Sequence, residues 1–293
     1  VNAIAPVWDG NEVWLLTAGG ALFAAFPPVY ATVFSGFYLA FMLLLVALIA
    51  RAVSMEFRGK VDSPRWRRFW DWSFGLGSLV PSLLYGVAVG NILLGLPLSP
   101  AGDYTGSFLD LLHPYALGIG LQGLAMFVCQ GALYMALKSE DDLRTRMQGF
   151  AKWAWLAWIV LFAANSLATF FLRPERMEGL LGNPAFWAVT LILALGLTAT
   201  GLFHRRRPWL AFLASSLAIA GQIALMGISI FPALVPAVGD PALSLTVANA
   251  SASEGSLETM FIIALVGMPL VLGYSFFIYR VFKGKVIIDE HSY

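Results

Sequence analysis

Tyr30–Ala52 reads YATVFSGFYLAFMLLLVALIARA, and the chain then runs into a loop holding Arg58, Lys60, Arg65, Arg67 and Arg68. A helix needs about 20 predominantly apolar residues to cross a bilayer. The stretch therefore reads as a membrane span closed by a basic loop. The same pairing recurs. Further apolar stretches occupy Trp72–Leu96, Pro114–Leu137, Trp153–Leu172, Ala185–Phe203, Trp209–Phe231 and Met260–Phe282, making seven in all. Sixteen of the eighteen Lys and Arg residues fall in the last turn of, or after, the first, third, fifth and seventh spans, and only Arg173 and Arg176 lie in the alternate loops. This asymmetry predicts an all-α polytopic membrane protein whose basic loops and carboxyl terminus are cytoplasmic.

Composition agrees. Of 293 residues, 59% are hydrophobic and 12% charged, about half the charged fraction of a soluble domain. A net charge of +1 gives no reason to expect nucleic-acid binding. The lone cysteine, Cys129, excludes a disulfide framework within the chain and reads as a small core residue. The chain reads as a single membrane domain over residues 1–293.

Asn11–Phe26 is apolar but short, and Pro27 and Pro28 interrupt it. Proline removes a donor and clashes with the preceding turn. Residues 11–28 are therefore expected to form a separate interfacial or re-entrant helix. Charge alternation then places Val1 outside. With Val1 in place of Met, this suggests a truncated amino terminus. The long outer loop, residues 232–258, is rich in Pro, Ser, Ala and Gly, which suits a structured cap and a linker equally. Asn249-Ala250-Ser251 has the glycosylation pattern but little weight by itself.

Several motifs have plain readings. Gly118-Ile119-Gly120-Leu121-Gln122-Gly123 has the letters of a dinucleotide fingerprint, but no strand precedes it. Its glycines, with Gly86 and Gly90, are expected to let helices approach closely. His113, His204 and His291 lie at span ends or in the tail, so no axial haem ligand is expected at mid-depth. Asn91, Gln122, Gln130, Asn165 and Gln222 are polar within spans, available to neighbouring helices or to a partner subunit.

The most unusual segment is Trp8-Asp9-Gly10-Asn11-Glu12-Val13-Trp14. Asp9 or Asn11 can cap a helix start. Alternatively, the segment holds an ionisable group for proton or ligand handling, since charge at membrane depth is costly and usually functional. Arg51 and Glu56 bracket the inner end of the first span, as a snorkelling cation with a solvated carboxylate or as a proton-collecting mouth. Trp8 and Trp14 read as interfacial anchors or quinone contacts.

The block from Val7 to Leu15, with Ala18-Gly19-Gly20-Ala21 and Phe26-Pro27, resembles subunit II of cytochrome bd-type quinol oxidases. Phe34-Ser35-Gly36-Phe37-Tyr38, Arg65-Trp66-Arg67, Trp70-Asp71-Trp72, Gly90-Asn91, Gln130-Gly131-Ala132 and Leu143-Arg144-Thr145-Arg146 follow in the same order. The cyanide-insensitive branch is equally compatible. Two features depart from the pattern. The family's first helix, with an Asp-Gly-Phe-Asp-like motif, is absent, and the outer loop Arg173–Pro184 is short.

The resemblance implies a heterodimeric terminal oxidase of the bacterial inner membrane that oxidises quinol and reduces dioxygen to water. It implies two haem b groups and one haem d in subunit I and none bound by this chain alone. The seven spans and the short helix would form most of two four-helix bundles. Partners would be subunit I, a small accessory membrane subunit, quinol and lipid, with a structural quinone in some members. Carried over residue by residue, Glu56 matches an acidic position at the inner end of the first span, Asp9 a second relay point and Arg51 its basic partner. A secondary transporter and a non-catalytic assembly scaffold are the rival classes, since broken helices and membrane carboxylates also suit transporters.

Overall fold

The computed structural model describes residues 2–286. His291 lies outside them. Ten α-helices are found there: α1 (Trp8–Ala25), α2 (Pro27–Gly36), α3 (Tyr38–Phe57), α4 (Pro64–Leu94), α5 (Pro114–Lys138), α6 (Asp141–Leu172), α7 (Pro174–Leu181), α8 (Pro184–Phe203), α9 (Pro208–Ile230) and α10 (Glu254–Val281). Six of them, α2, α4, α5, α7, α8 and α9, begin on proline. Proline is suited to the first helical position because its missing N–H would be unpaired there anyway. His113 Nδ1 caps α5 by accepting from Tyr115 N, and Asn183 Oδ1 caps α8 by accepting from Ala185 N.

Seven helices, α3, α4, α5, α6, α8, α9 and α10, are long and apolar enough to cross a membrane, as the sequence predicts. The first of these differs in position. Tyr30–Ala52 is not one helix: the chain breaks at Phe37, and the span is Tyr38–Phe57. Phe37 is buried, and the ring of Tyr104 packs directly on Gly36, where a Cβ would lie 2.7 Å from Tyr104 Cβ. Gly36, a weak helix former, directly precedes the break, and the packing of Tyr104 on it uses its missing side chain.

The expectation of one interfacial helix over residues 11–28 also divides. The short interfacial piece is α2, pinned by a bond from Thr32 Oγ1 to Gly102 O (2.7 Å) in the α4–α5 connection. By contrast, α1 runs antiparallel along α10. Its first turns meet the basic end of the array, where Glu12 pairs with Arg51 and Asn11 Nδ2 donates to Tyr279 Oη (3.4 Å). Its last residue, Ala25, accepts from Ala252 N (2.8 Å), just ahead of α10. Its 18 residues extend about 27 Å, close to the hydrocarbon thickness. Asp9, Asn11, Glu12 and the small residues Ala18–Ala21 hold down its apolarity, which is why hydropathy alone missed it. The described residues ahead of α1 also lie on the side of the basic loops, whereas charge alternation places the start opposite them. Ala3 O accepts from Tyr134 Oη (3.3 Å), one turn before Lys138 on α5, so this segment lies at the basic end.

The main core is a four-helix bundle of α5, α6, α8 and α9. Met126, Cys129, Leu133, Trp158, Leu193, Leu197, Ala211 and Ala218 meet in it. Helix α4 docks on α5 through glycines. A Cβ on Gly86 would lie 2.6 Å from Ile119 O, and one on Gly90 would lie 2.6 Å from Ala116 Cα. Side-chain dispersion and close backbone approach, rather than water exclusion, hold such contacts together in lipid. Helix α3 packs on α4, and α1 with α10 completes a second, looser group. In that group α10 buries no residue.

At the end away from the basic loops, the chain forms a structured cap. Strands β1 (Ala233–Val235) and β2 (Leu245–Thr246) pair antiparallel. Leu96 N donates to Pro236 O (2.8 Å), and Val238 N donates to Leu96 O (2.9 Å). Val29, Phe37, Leu96, Leu98, Leu111, Val235 and Ala250 form its apolar centre. Asn249 spends its amide on this cap, accepting from Thr246 N and donating to Ser244 O.

Candidate functional site

The first turns of α1 and the last turns of α3 and α10 meet at the basic end. Gly77 of α4 makes room for helix α3 at this junction: a Cβ there would lie 2.6 Å from Ala47 O and 2.9 Å from Arg51 N. One turn earlier, Phe74 sets its ring under the Arg51 guanidinium, 5.9 Å from carbon to centroid. The free side of the guanidinium donates through Nη1 to Glu12 Oε1. Both side chains are about a quarter exposed, 23% for Arg51 and 26% for Glu12. Tyr85 of α4 lies within electrostatic reach of both.

Arginine remains a cation, so the carboxylate is the partner that can exchange a proton. A pair at this depth desolvates two charges and is retained because the attraction offsets that loss only when both are present. Aromatic carbon on one side and a carboxylate on the other hold the guanidinium in one orientation.

The structure brings together only part of the predicted set. Arg51 has a carboxylate partner, but it is Glu12 rather than Asp9 or Glu56. Asp9 is exposed in the first turn of α1, where a negative charge complements the helix dipole. Glu56 is exposed in the last turn of α3 and makes no hydrogen bond or ion pair among the described residues. Trp8 and Trp14 are half-buried, and neither indole N–H is bonded among the described residues. The sequence reading singled out Asp9 and passed over Glu12. The two stand three positions apart in one motif, and nothing in the sequence says which faces Arg51. Asn11 and Tyr279, separated by most of the chain, have no sequence signal at all.

The five intramembrane amides are all paired within the chain. Asn165 Nδ2 donates to Gln122 Oε1 (2.7 Å), Trp158 Nε1 donates to Gln222 Oε1 (2.7 Å) and Gln130 Nε2 donates to Ser216 Oγ (2.8 Å). Asn91 Nδ2 donates to Leu111 O (2.8 Å).

The chain matches the family described as cytochrome bd terminal oxidase subunit II over residues 1–282. It belongs to that family. Among relatives, the "Probable cytochrome oxidase subunit 2" of Haemophilus influenzae is 35% identical, covering 100% of this chain and 86% of its own. The "Cytochrome bd-I ubiquinol oxidase subunit 2" of Escherichia coli K12 is 36% identical over 99% of this chain and 85% of its own. The "Cytochrome bd ubiquinol oxidase subunit 2" of Bacillus subtilis is 33% identical over the same shares, 99% and 85%. The bd oxidase structure from Geobacillus thermodenitrificans shares the fold, with a TM-score of 0.76 at 18% identity over 95% of this chain and 83% of that one.

As a cytochrome bd subunit II, the chain is a multi-pass component of a terminal oxidase in a bacterial inner membrane, and the transporter reading falls away. Among the described residues, the two histidines stand at opposite ends of the helix array and do not make an axial haem pair. His113 caps α5 at the end away from the basic loops, and His204 closes α8 at the basic end, its Nδ1 on Gly201 O (2.7 Å). Among the described residues, no three His, Cys, Asp or Glu cluster to hold a metal.

Proposed function

We propose that this chain supports quinol oxidation and dioxygen reduction by walling and stabilising a haem-bearing subunit I, and by passing protons toward it from the cytoplasmic side. The observation that carries the proton role is the Glu12–Arg51 pair, a carboxylate of α1 joined to an arginine of the α3 span. The positive-inside bias supports a cytoplasmic position for the basic end and for the carboxyl terminus. Glu56, exposed one turn beyond Arg51, is the collecting group in this reading. Asp9, one turn before Glu12 on α1, is a second entry point. Arg51 holds the Glu12 side chain in place between transfers.

The haems, two b and one d, belong to subunit I in this reading, and supply the redox chemistry. Helix α10, with no residue buried by its own chain, supports a large partner covering that side. Trp8 and Trp14 offer aromatic faces to a quinone ring beside the carboxylates. A small accessory membrane subunit completes the assembly.

The test uses the intact complex, with haem content, quinol-driven oxygen uptake and charge separation measured together. Glu12→Gln is expected to lower turnover at least tenfold, as loss of a proton-transfer group commonly costs about 10²–10⁴-fold, while haem content stays full. Glu56→Ala and Asp9→Asn are expected to have smaller effects. Normal turnover and charge separation in Glu12→Gln would remove the relay role. Haem loss in proportion to activity would leave only the structural one.

A further inference from the structure

The first turns of α6 and the α8–α9 turn form a second basic corner that the oxidase reading does not use. Arg144, Gln148 and Lys152 are spaced at four residues, so they share one stripe of α6. Gln148 Nε2 donates to Arg205 O (3.3 Å), which brings that stripe against the α8–α9 turn with its run Arg205-Arg206-Arg207. These five cations form no ion pair among the described residues. Arg205, Arg206 and Arg207 are exposed, and Arg144 and Lys152 are half-buried. The neighbouring carboxylates, Asp141 and Asp142, open α6 and leave cation in surplus.

Two further observations set the depth and polarity of this corner. Trp153 and Trp209 are 69% and 56% exposed, and Lys152 Nζ stands 5.4 Å from the centroid of the Trp153 ring. Exposed indoles beside cations mark the headgroup level of a bilayer. His204, just before the arginine run, has a buried Nε2 with no partner among the described residues.

We propose that this corner is a binding site for the phosphate headgroup of an anionic phospholipid, with acyl chains lying along the faces of α6 and α9 that carry Trp153 and Trp209. The recognition chemistry is specific in kind. Arginine forks match phosphate oxygens bidentately. Basic pockets between helices at the cytoplasmic surface bind anionic headgroups. A zwitterionic headgroup carries its own cation and is disfavoured by the five already there.

Native mass spectrometry of the whole detergent-solubilised complex, titrated with phosphatidylglycerol and separately with phosphatidylcholine, tests the site. The wild type is expected to retain phosphatidylglycerol in preference. R205Q/R206Q/R207Q is expected to lose that retention by on the order of tenfold or more. R65Q/R68Q, which removes charge from the first turns of α4, is expected to keep it. R205K/R206K/R207K, which keeps the charge, is expected to retain most of it. Equal retention of both lipids by the wild type would overturn the proposal. So would unchanged retention in the Gln variant, equal loss in R65Q/R68Q, or full loss in the Lys variant. Should the Gln variant fail to assemble, the wild-type headgroup preference and the Lys variant still decide.

Discussion

Helices α5 and α10 are both membrane spans, yet they are treated in opposite ways by the fold. By mean hydropathy α5 is the least apolar of the seven spans and α10 the most. Ten residues of α5 are buried, and none of α10. In water this ordering would be perverse, because burial follows apolarity there. In a bilayer the solvent is itself hydrocarbon, so apolarity marks the surface that can face lipid or another apolar subunit. Interiors instead collect glycine, alanine and paired amides, which allow close approach and interhelical hydrogen bonds. Gly120, Gly123, Gln122 and Ala116 on α5 are of this kind. Phe261, Ile263, Leu270 and Phe276 on α10 are of the other.

The contrast can be broken most forcefully from the bundle side. Trp158 is fully buried, and its indole N–H reaches Gln222. Trp158→Ala is expected to destabilise the complex by about 3–5 kcal/mol, read as a lowered denaturation midpoint. A wild-type midpoint would mean that the α5–α6–α8–α9 core does not limit stability. A smaller but still clear effect is expected at the α4–α5 contact. In Gly86→Ala the new methyl meets backbone of α5, at 2.6 Å from Ile119 O and 2.7 Å from Gly120 Cα. No side chain can move aside there, so overpacking is expected to cost about 1–3 kcal/mol. Thermal denaturation checks this too, and no loss would mean that α4 slides at negligible cost.

On the α10 side the same kind of change is expected to do least. Ile263 is 66% exposed, so Ile263→Ala should alter stability through this chain's own packing by under about 0.5 kcal/mol. Reduced co-purification of subunit I by the same variant would sharpen the comparison, since it would identify this face as covered by that subunit. Unchanged co-purification would assign it to lipid.

Class and span count were legible early because apolar length and Lys/Arg sorting are local properties, each read from a window of about 20 residues. The Trp8–Trp14 motif was also visible, as was the role of Gly86, Gly90 and Gly120 in close packing. What stayed hidden involves residues that meet across the chain. Glu12 and Arg51 lie 39 positions apart and Asn11 and Tyr279 lie 268 apart, so a sequence can show their chemistry but not their pairing. The extent of α1 was missed because Asp9, Asn11 and Glu12 lower the apolarity of its first turns. The break at Phe37 was missed because Gly36 alone is a weak signal and Tyr104, which packs on it, comes from a distant loop. Sequence alone determined that this chain lives in a bilayer and which of its loops share a side. Only the tertiary structure decided which carboxylate meets the arginine, because a hydrogen bond needs two groups within about 3 Å and chain order says nothing about that distance.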